Sequence, residues 1–166
     1  VNGASIAGAG RVIAIDRAAD KLTLAKTFGA TDVINAAEGD AVEQVMEMTG
    51  GGVHYAFEAI GLKRTAEQAF EMLRPGGTAT LIGMIPYGEK IELHGGDFLM
   101  EKKVIGCSMG SNRFRVDMPR YVDFYLAGKL KLDDLLSSHI KLEDVNEALQ
   151  ALKTGTVARN VIMFDS

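Results

Sequence analysis

The side chain with the most specific chemistry is Asp16, which ends the β-branched run RVIAID at residues 11–16. In nucleotide-binding α/β domains, an acid at the end of the second strand accepts hydrogen bonds from the hydroxyls of an adenosine ribose. Its charge also repels a 2′-phosphate, which favours NAD over NADP. The next residue, Arg17, would stack on the adenine or face solvent. Because aspartate is also a favoured helix N-cap, position alone leaves the ribose contact and a simple cap as open alternatives.

Two later runs end in small or apolar residues, as the walls of a ligand crevice do. They are FEAIG at residues 57–61 and LIGM at residues 81–84. Ligands of open α/β folds bind at the carboxyl ends of the strands, and glycine there lets the backbone approach a flat ring. A glycine that only eases the turn into a helix explains either run equally well. Glu58 is expected to be buried and hydrogen-bonded to a neighbouring loop rather than catalytic.

The glycine clusters do not have the arrangement of a phosphate-binding loop. Such a loop follows a strand and opens a helix, so that the helix N-terminus faces the anion. The clusters GAG at residues 8–10 and GGG at residues 50–52 each precede a strand instead. We interpret the first as the end of a helix and the second as a turn.

The residue types that commonly perform catalysis are few and scattered. His54, His94 and His139 lie far apart without i, i+4 spacing, and Cys107 is the single cysteine. Zinc requires three or four converging ligands, and no nucleophile elbow or carboxylate pair is evident. We therefore predict that this chain supplies no catalytic residue and no metal ligand.

Composition excludes several classes of protein. The 166 residues include 18 Lys and Arg against 22 Asp and Glu, without the basic excess of a nucleic-acid-binding protein. A lone cysteine excludes an internal disulfide, and no apolar run approaches the roughly 18 residues of a membrane span. We therefore expect a cytoplasmic globular domain that contacts neither nucleic acid nor membrane.

Short β-branched runs alternate with segments of helical periodicity. The runs begin at residues 11, 32, 53, 78 and 103, which is the spacing of β-α units with tight loops. The runs lack apolar/polar alternation, which indicates strands buried on both faces of a parallel sheet. One intervening helix is predicted behind a capping box formed by Thr65 and Gln68. The pattern predicts a doubly wound, Rossmann-like α/β domain, followed by C-terminal helices and a final strand at residues 159–164.

The beginning of the chain lacks an expected element. Residues 1–10 read as a helix, whereas a doubly wound sheet begins with a strand that lies at its centre. Without that strand, two rows of backbone groups would be left unpaired. We therefore predict one NAD-binding domain, residues 1–166, that is truncated at its N-terminus and lacks its first, central strand.

In order and spacing, the chain resembles the cofactor-binding half of medium-chain, zinc-type alcohol dehydrogenases, including their class III-like branch. The resemblance covers essentially all 166 residues, and it rests on the segments AGAGRVIAID, FGATDVIN, TGGGVHYAFEAIG, LRPGGTATLIGM, FLMEKKVIGCSMGS and DVNEALQALKTGTVARNVIMF. It implies reversible oxidation of an alcohol to an aldehyde or ketone, with NAD held here. Zinc would be held by an absent catalytic domain, on which the final strand would pack.

The resemblance also implies particular coenzyme contacts. Asp16 and Lys21 would hold the adenosine ribose, and Arg159 would bind the pyrophosphate. Around the ligand, the implied contacts are Ala59 and Ile60 on the adenosine side, Ile82, Gly83 and Met84 at the nicotinamide, and Cys107, Ser108 and Met109 at its carboxamide. This chain has Leu62 at the position where several relatives carry an arginine near the adenine.

The same resemblance implies a homodimer or homotetramer, built through the sheet edge near residues 90–109.

Other functions stay open at this point. An S-adenosylmethionine-dependent methyltransferase also has an acid after its second strand. A zinc-free quinone or enoyl reductase belongs to the same superfamily but usually prefers NADPH, against which Asp16 argues. A non-enzymatic binding module is the remaining alternative.

Overall fold

The computed structural model describes residues 1–155 and 157–164, and within them short parallel strands alternate with helices. The α-helices are α1 (Asn2–Ile6), α2 (Ala19–Thr27), α3 (Ala41–Thr49), α4 (Lys63–Glu71), α5 (Phe114–Leu126) and α6 (Val145–Thr154). The strands are β1 (Ile13–Asp16), β2 (Asp32–Asn35), β3 (Val53–Glu58), β4 (Leu73–Leu81), β5 (Lys103–Gly106), β6 (Ser138–Ile140) and β7 (Asn160–Ile162). None of the described helices is long and apolar enough to cross a membrane.

The strands form separate parallel sheets, and the break between two of them lies where the sequence predicts a missing strand. Strand β1 pairs with β2, while β3, β4 and β5 form a three-stranded sheet in that order. Within the described residues, β1 and β3 each have a strand partner on one edge only. The prediction of a doubly wound parallel fold without its first, central strand is confirmed.

Helix α3 joins the two sheets through a shared core. Its buried Val45 packs with Ile34 of β2 and with Met72, which follows α4. Asp40 caps the helix by accepting hydrogen bonds from the backbone N–H groups of its first turn. Gly50 ends it in the left-handed conformation that glycine adopts without a steric penalty. One helix therefore fixes both sheets relative to each other.

Within the part of the chain that the structure describes, the three-stranded sheet is covered on one face only. Helix α4 lies over the covered face, where Ala69 and Phe70 pack on Leu73 and Ala79. On the opposite face, the residues Tyr55 and Phe57 are 69% and 60% exposed. The sequence predicts strands buried on both faces, as is normal in parallel sheets, but among the described residues this face of the three-stranded sheet is exposed.

Three local predictions need correction. The predicted capping box is wrong, because α4 begins at Lys63 after the N-cap residue Leu62 and Thr65 lies inside the first turn. The predicted final strand is shorter than residues 159–164 and covers Asn160–Ile162. It pairs in parallel with β6, a three-residue strand that the sequence did not predict.

A charged pair links the segment before β1 to the start of β2 and provides a pH-dependent prediction. The Arg11 guanidinium donates from Nε and Nη2 to both carboxylate oxygens of Asp32 at 2.8 Å, and Thr31 Oγ1 donates to the same carboxylate at 2.7 Å. These hydrogen bonds, led by those from Arg11, lower the pKa of Asp32 from 3.8 to about 2. The pair therefore stabilises the fold above pH 3.8, and this contribution disappears as the pH falls through about 2.

We expect a carboxyl NMR titration of Asp32 to give a midpoint near 2 in the wild-type protein. Arg11→Ala should move that midpoint back towards 3.8, because the main hydrogen-bond donor is removed. Arg17→Ala, which removes an exposed arginine outside this pair, should leave the midpoint unchanged. An Asp32 midpoint near 3.8 in the wild-type protein would refute the assignment.

Candidate functional site

Asp16 closes the turn between β1 and α2 but does not cap the helix. Its Oδ1 accepts a hydrogen bond of 3.0 Å from the backbone N–H of Ala18. Ala18 is the N-cap residue, and no side chain caps α2. The simple capping interpretation is therefore wrong, although the carboxylate does shape the turn. No described residue donates to Oδ2, so this oxygen keeps its capacity to accept hydrogen bonds from a bound diol.

The two basic residues after Asp16 lie in different surroundings. Arg17 is exposed beside the turn. Lys21, in the first half of α2, carries its Nζ to the end of α6: a Cβ built on Gly155 would lie 3.3 Å from it. A cation at the C-terminal end of a helix is favoured by the carbonyl groups there. The structure thus places the Nζ atom of Lys21 beside the end of α6. The contact of Lys21 with the ribose stays a prediction.

The loops that follow β3 and β4 pack backbone against backbone. A Cβ on Gly83 would lie 2.2 Å from the Gly61 nitrogen, and a Cβ on Gly61 would lie 2.6 Å from the Met84 carbonyl oxygen. Gly61 also has a φ of 88°, which L side chains rarely adopt. Glycine is therefore required at both positions for the two loops to approach each other.

The side chains around this contact point outward. Ala59 and Ile60 after β3, and Ile82 and Met84 after β4, are exposed, Met84 to 90%. Because β3 and β4 are parallel neighbours, these residues meet at one edge of the sheet. The structure thus presents an apolar rim on a rigid backbone base, which suits one face of a planar ring.

Glu58 is the buried group beneath these loops. Its carboxylate accepts hydrogen bonds from the N–H groups of Ile60 and Gly61 and from the hydroxyl of Thr65. Burial raises the pKa of Glu58, but the hydrogen bonds from Gly61, Thr65 and Ile60 together bring it below its usual value. The prediction of a buried glutamate bonded to a neighbouring loop is confirmed, and the carboxylate is ionised at neutral pH.

The segment after β5 contains a run of unusual backbone angles. Met109, Gly110 and Ser111 have φ values of 50°, 74° and 49°. Only the glycine adopts this region without cost, and such strain is concentrated at functional sites in proteins. Cys107 is half-buried and donates its backbone N–H to Leu81 O at 3.0 Å, which joins the segment to the end of β4. Ser108 and Met109 are exposed beside it.

Arg159 lies apart from the sheet-edge residues, directly before β7. Its backbone carbonyl accepts from Ser137 N at 2.7 Å, which sets the start of the β6–β7 pair. The residue is exposed. The structure therefore brings together the residues after β3, β4 and β5, places Asp16 on the adjoining sheet, and leaves Lys21 and Arg159 near the C-terminal segment.

Comparison with known proteins decides the family. Residues 1–127, which make up more than half of the chain, match the family model described as zinc-binding dehydrogenase. The chain belongs to this family. The resemblance to zinc-type alcohol dehydrogenases, including their class III-like branch, is confirmed by the curated relatives that the chain matches.

Two curated relatives and two solved structures illustrate the match. Alcohol dehydrogenase-like 5 of Arabidopsis thaliana is 35% identical over 167 residues, covering 98% of this chain and 43% of the relative. Alcohol dehydrogenase class-3 of Myxine glutinosa is 33% identical over 167 residues, covering 99% of this chain and 44% of the relative. An alcohol dehydrogenase zinc-binding domain protein from Burkholderia ambifaria superposes with a TM-score of 0.95 at 31% identity. The match covers 99% of this chain and 45% of that protein. A zinc-binding dehydrogenase from Sinorhizobium meliloti 1021, solved bound to NADP, superposes with a TM-score of 0.81 at 31% identity. The match covers 90% of this chain and 44% of that protein.

The chain thus spans less than half the length of the relatives that it matches. Its own residues do not fit a zinc site: among the described part of the chain, no group of three or more His, Cys, Asp or Glu side chains converges. They do fit a dinucleotide in part, through the available Oδ2 of Asp16 and the glycine-lined loop contact. Two surface depressions, of about 630 and 350 Å³, lie instead along α6 and beside residues 125–134.

Proposed function

We propose that this chain is the coenzyme-binding part of an NAD-dependent alcohol dehydrogenase. The whole enzyme would reversibly oxidise a small-molecule alcohol to an aldehyde or ketone. The observation that carries the proposal is Asp16, a carboxylate with an available oxygen at the end of β1 in a chain of the zinc-binding dehydrogenase family. The family assignment also removes the methyltransferase alternative.

In this proposal the coenzyme lies across the carboxyl ends of the strands. Asp16 would accept hydrogen bonds from the adenosine ribose, with Arg17 and Lys21 nearby and Arg159 at the pyrophosphate. The apolar rim and the residues beside it would contact the rest of the coenzyme. These contacts are Ala59 and Ile60 on the adenosine side, Ile82, Gly83 and Met84 against the nicotinamide, and Cys107, Ser108 and Met109 at its carboxamide. NAD, when bound there, supplies the acceptor for the hydride that leaves the alcohol carbon.

The choice of NAD over NADP follows from charge. A 2′-phosphate placed on the ribose next to Asp16 would meet a carboxylate in a half-buried position. The relative from Sinorhizobium meliloti 1021 was solved bound to NADP, so membership of the family does not by itself decide the coenzyme. The preference is therefore a property of this sequence and needs its own test.

The rest of the enzyme would complete the domain. We propose that residues 1–166 form one NAD-binding domain, that a further segment supplies the central strand and its glycine turn, and that a separate domain binds zinc. Since β5 is the outer strand of its sheet and exposes Ile105, the edge near residues 90–109 suits pairing with a second copy in a homodimer or homotetramer. A cytoplasmic location agrees with the single cysteine.

The proposal is tested by comparing the full-length protein with the 166-residue chain. Full-length protein should reduce NAD in the presence of an alcohol and should do so more efficiently than it reduces NADP. The isolated chain should bind NAD only weakly, because it has no glycine turn to hold the phosphates. The absorbance of the reduced coenzyme measures the first expectation, and calorimetric titration measures the second. Micromolar NAD binding by the isolated chain would contradict the second expectation.

If full-length protein oxidised no alcohol with either coenzyme, the proposed activity would be wrong. If it did so with NADP in clear preference to NAD, the role assigned to Asp16 would be wrong while the reaction class stood.

A further inference from the structure

The buried Glu58 connects the two loops that the proposed function places against the coenzyme. The residue is only 3% exposed. Oε1 accepts three hydrogen bonds: from Ile60 N at 2.8 Å, from Gly61 N at 2.8 Å and from Thr65 Oγ1 at 2.7 Å. These bonds fold the first loop, residues 59–62, back over the end of β3.

The backbone of the same residue holds the second loop. Glu58 O accepts hydrogen bonds from Ile82 N at 2.8 Å and from Gly83 N at 3.1 Å. The carboxylate reaches this loop as well, since a Cβ on Gly83 would lie 2.5 Å from Oε2. One residue therefore fixes both loops, the first through its side chain and the second mainly through its main chain.

The charge of Glu58 is retained only because of these contacts. An ionised carboxylate away from water is costly unless hydrogen bonds replace its hydration. Oε1 is fully supplied, whereas Oε2 is buried and accepts no hydrogen bond from a described residue. The loop N–H groups that donate to Oε1 therefore stabilise the ionised carboxylate. In turn, the carboxylate stabilises the conformation of that loop.

We propose that Glu58 is a positioning residue, which holds loop 59–62 and loop 82–84 as one rigid unit and so sets where Ile60, Ile82 and Met84 contact the coenzyme. Glu58 itself is buried beneath the loops and touches no reacting atom. This inference rests on the proposed function, because it assumes that these loops form part of the coenzyme site.

Glu58→Gln in the full-length protein is the direct test. The amide oxygen of glutamine can still accept from the loop, but hydrogen bonds to a neutral acceptor are about half as strong as those to a carboxylate. We expect the dissociation constant for NAD to rise about tenfold, with a fall in kcat as well as a rise in the coenzyme KM. In the absence of coenzyme, amide hydrogen exchange in a peptide covering Ile60 and Gly61 should become about tenfold faster.

Two further comparisons separate positioning from general stability. Thr65→Val removes the hydroxyl donor to Oε1 and should raise the NAD dissociation constant, whereas Thr65→Ser keeps the donor and should restore it close to the wild-type value. Glu71→Gln makes the same substitution at the exposed end of α4 and should change neither NAD affinity nor exchange at Ile60 and Gly61.

The exchange measurement needs no coenzyme, so the two proposals fail in different ways. Wild-type exchange and wild-type NAD affinity in Glu58→Gln would overturn the positioning role. Faster exchange with unchanged NAD affinity would show that Glu58 fixes the loop but that the loop does not contact the coenzyme, which also overturns the inference. Absence of NAD binding by the wild-type protein would count against the proposed function, and exchange would still decide whether Glu58 holds the loop.

Discussion

Asp16→Ala in the full-length protein is expected to weaken NAD binding by about ten- to a hundredfold, the effect of losing hydrogen bonds to a charged acceptor. NADP binding should change much less, because alanine also removes the repulsion between the carboxylate and the 2′-phosphate. The ratio of the two dissociation constants should therefore shift towards NADP. Calorimetric titration of both coenzymes measures that ratio directly.

Two control variants separate the ribose contact from the shape of the turn. Asp16→Asn keeps an oxygen that can accept from Ala18 N, so the turn into α2 is preserved while the charge is lost. It should relax the preference for NAD with a smaller loss of affinity than alanine causes. Asp20→Ala removes an exposed acid in the first turn of α2 and should leave both affinities unchanged. An unchanged NAD-to-NADP ratio in Asp16→Ala would contradict the assignment.

The strand pattern of the sequence predicts the fold well because the strands alternate with helices at regular spacing. It also predicts the missing central strand, since residues 1–10 read as a helix and β1 and β3 each have an unpaired edge in the structure. Strand β6 escaped prediction because SHI is short and has a single strongly β-forming residue. Such a strand is defined by its partner β7 and not by its own composition.

The site is less accessible from sequence because its decisive contacts join distant segments. Thr65 and Gln68 fit a capping box locally, but the Thr65 hydroxyl bonds to Glu58 and the helix begins earlier. The position of Lys21 beside Gly155 depends on where α6 lies relative to α2. The left-handed angles of Met109 and Ser111 have no signal of their own, since only the intervening glycine favours them.

Gly83→Ala is expected to be the most disruptive small substitution in the candidate site. The added Cβ would lie 2.2 Å from Gly61 N and 2.5 Å from Glu58 Oε2, and the nearest of these atoms belongs to the backbone. Overpacking of this kind costs about 1–3 kcal/mol, because a loop has to move rather than a flexible side chain. The melting temperature should fall by several degrees, since about 1 kcal/mol corresponds to about 2–4 °C in a domain of this size.

The same displacement should also weaken coenzyme binding, because Ile82 and Met84 move with the loop that Gly83 anchors. Gly106→Ala is the matched control: this glycine ends β5, its added Cβ would meet no atom within 4 Å, and its backbone angle suits alanine. It should leave the melting temperature unchanged or slightly raised, since alanine reduces the entropy of the unfolded chain. Differential scanning calorimetry of the full-length protein with and without NAD measures both effects. If Gly83→Ala behaved like Gly106→Ala, the close backbone contact between the loops after β3 and β4 would be wrong, and with it the rigid base on which the proposed nicotinamide contacts depend.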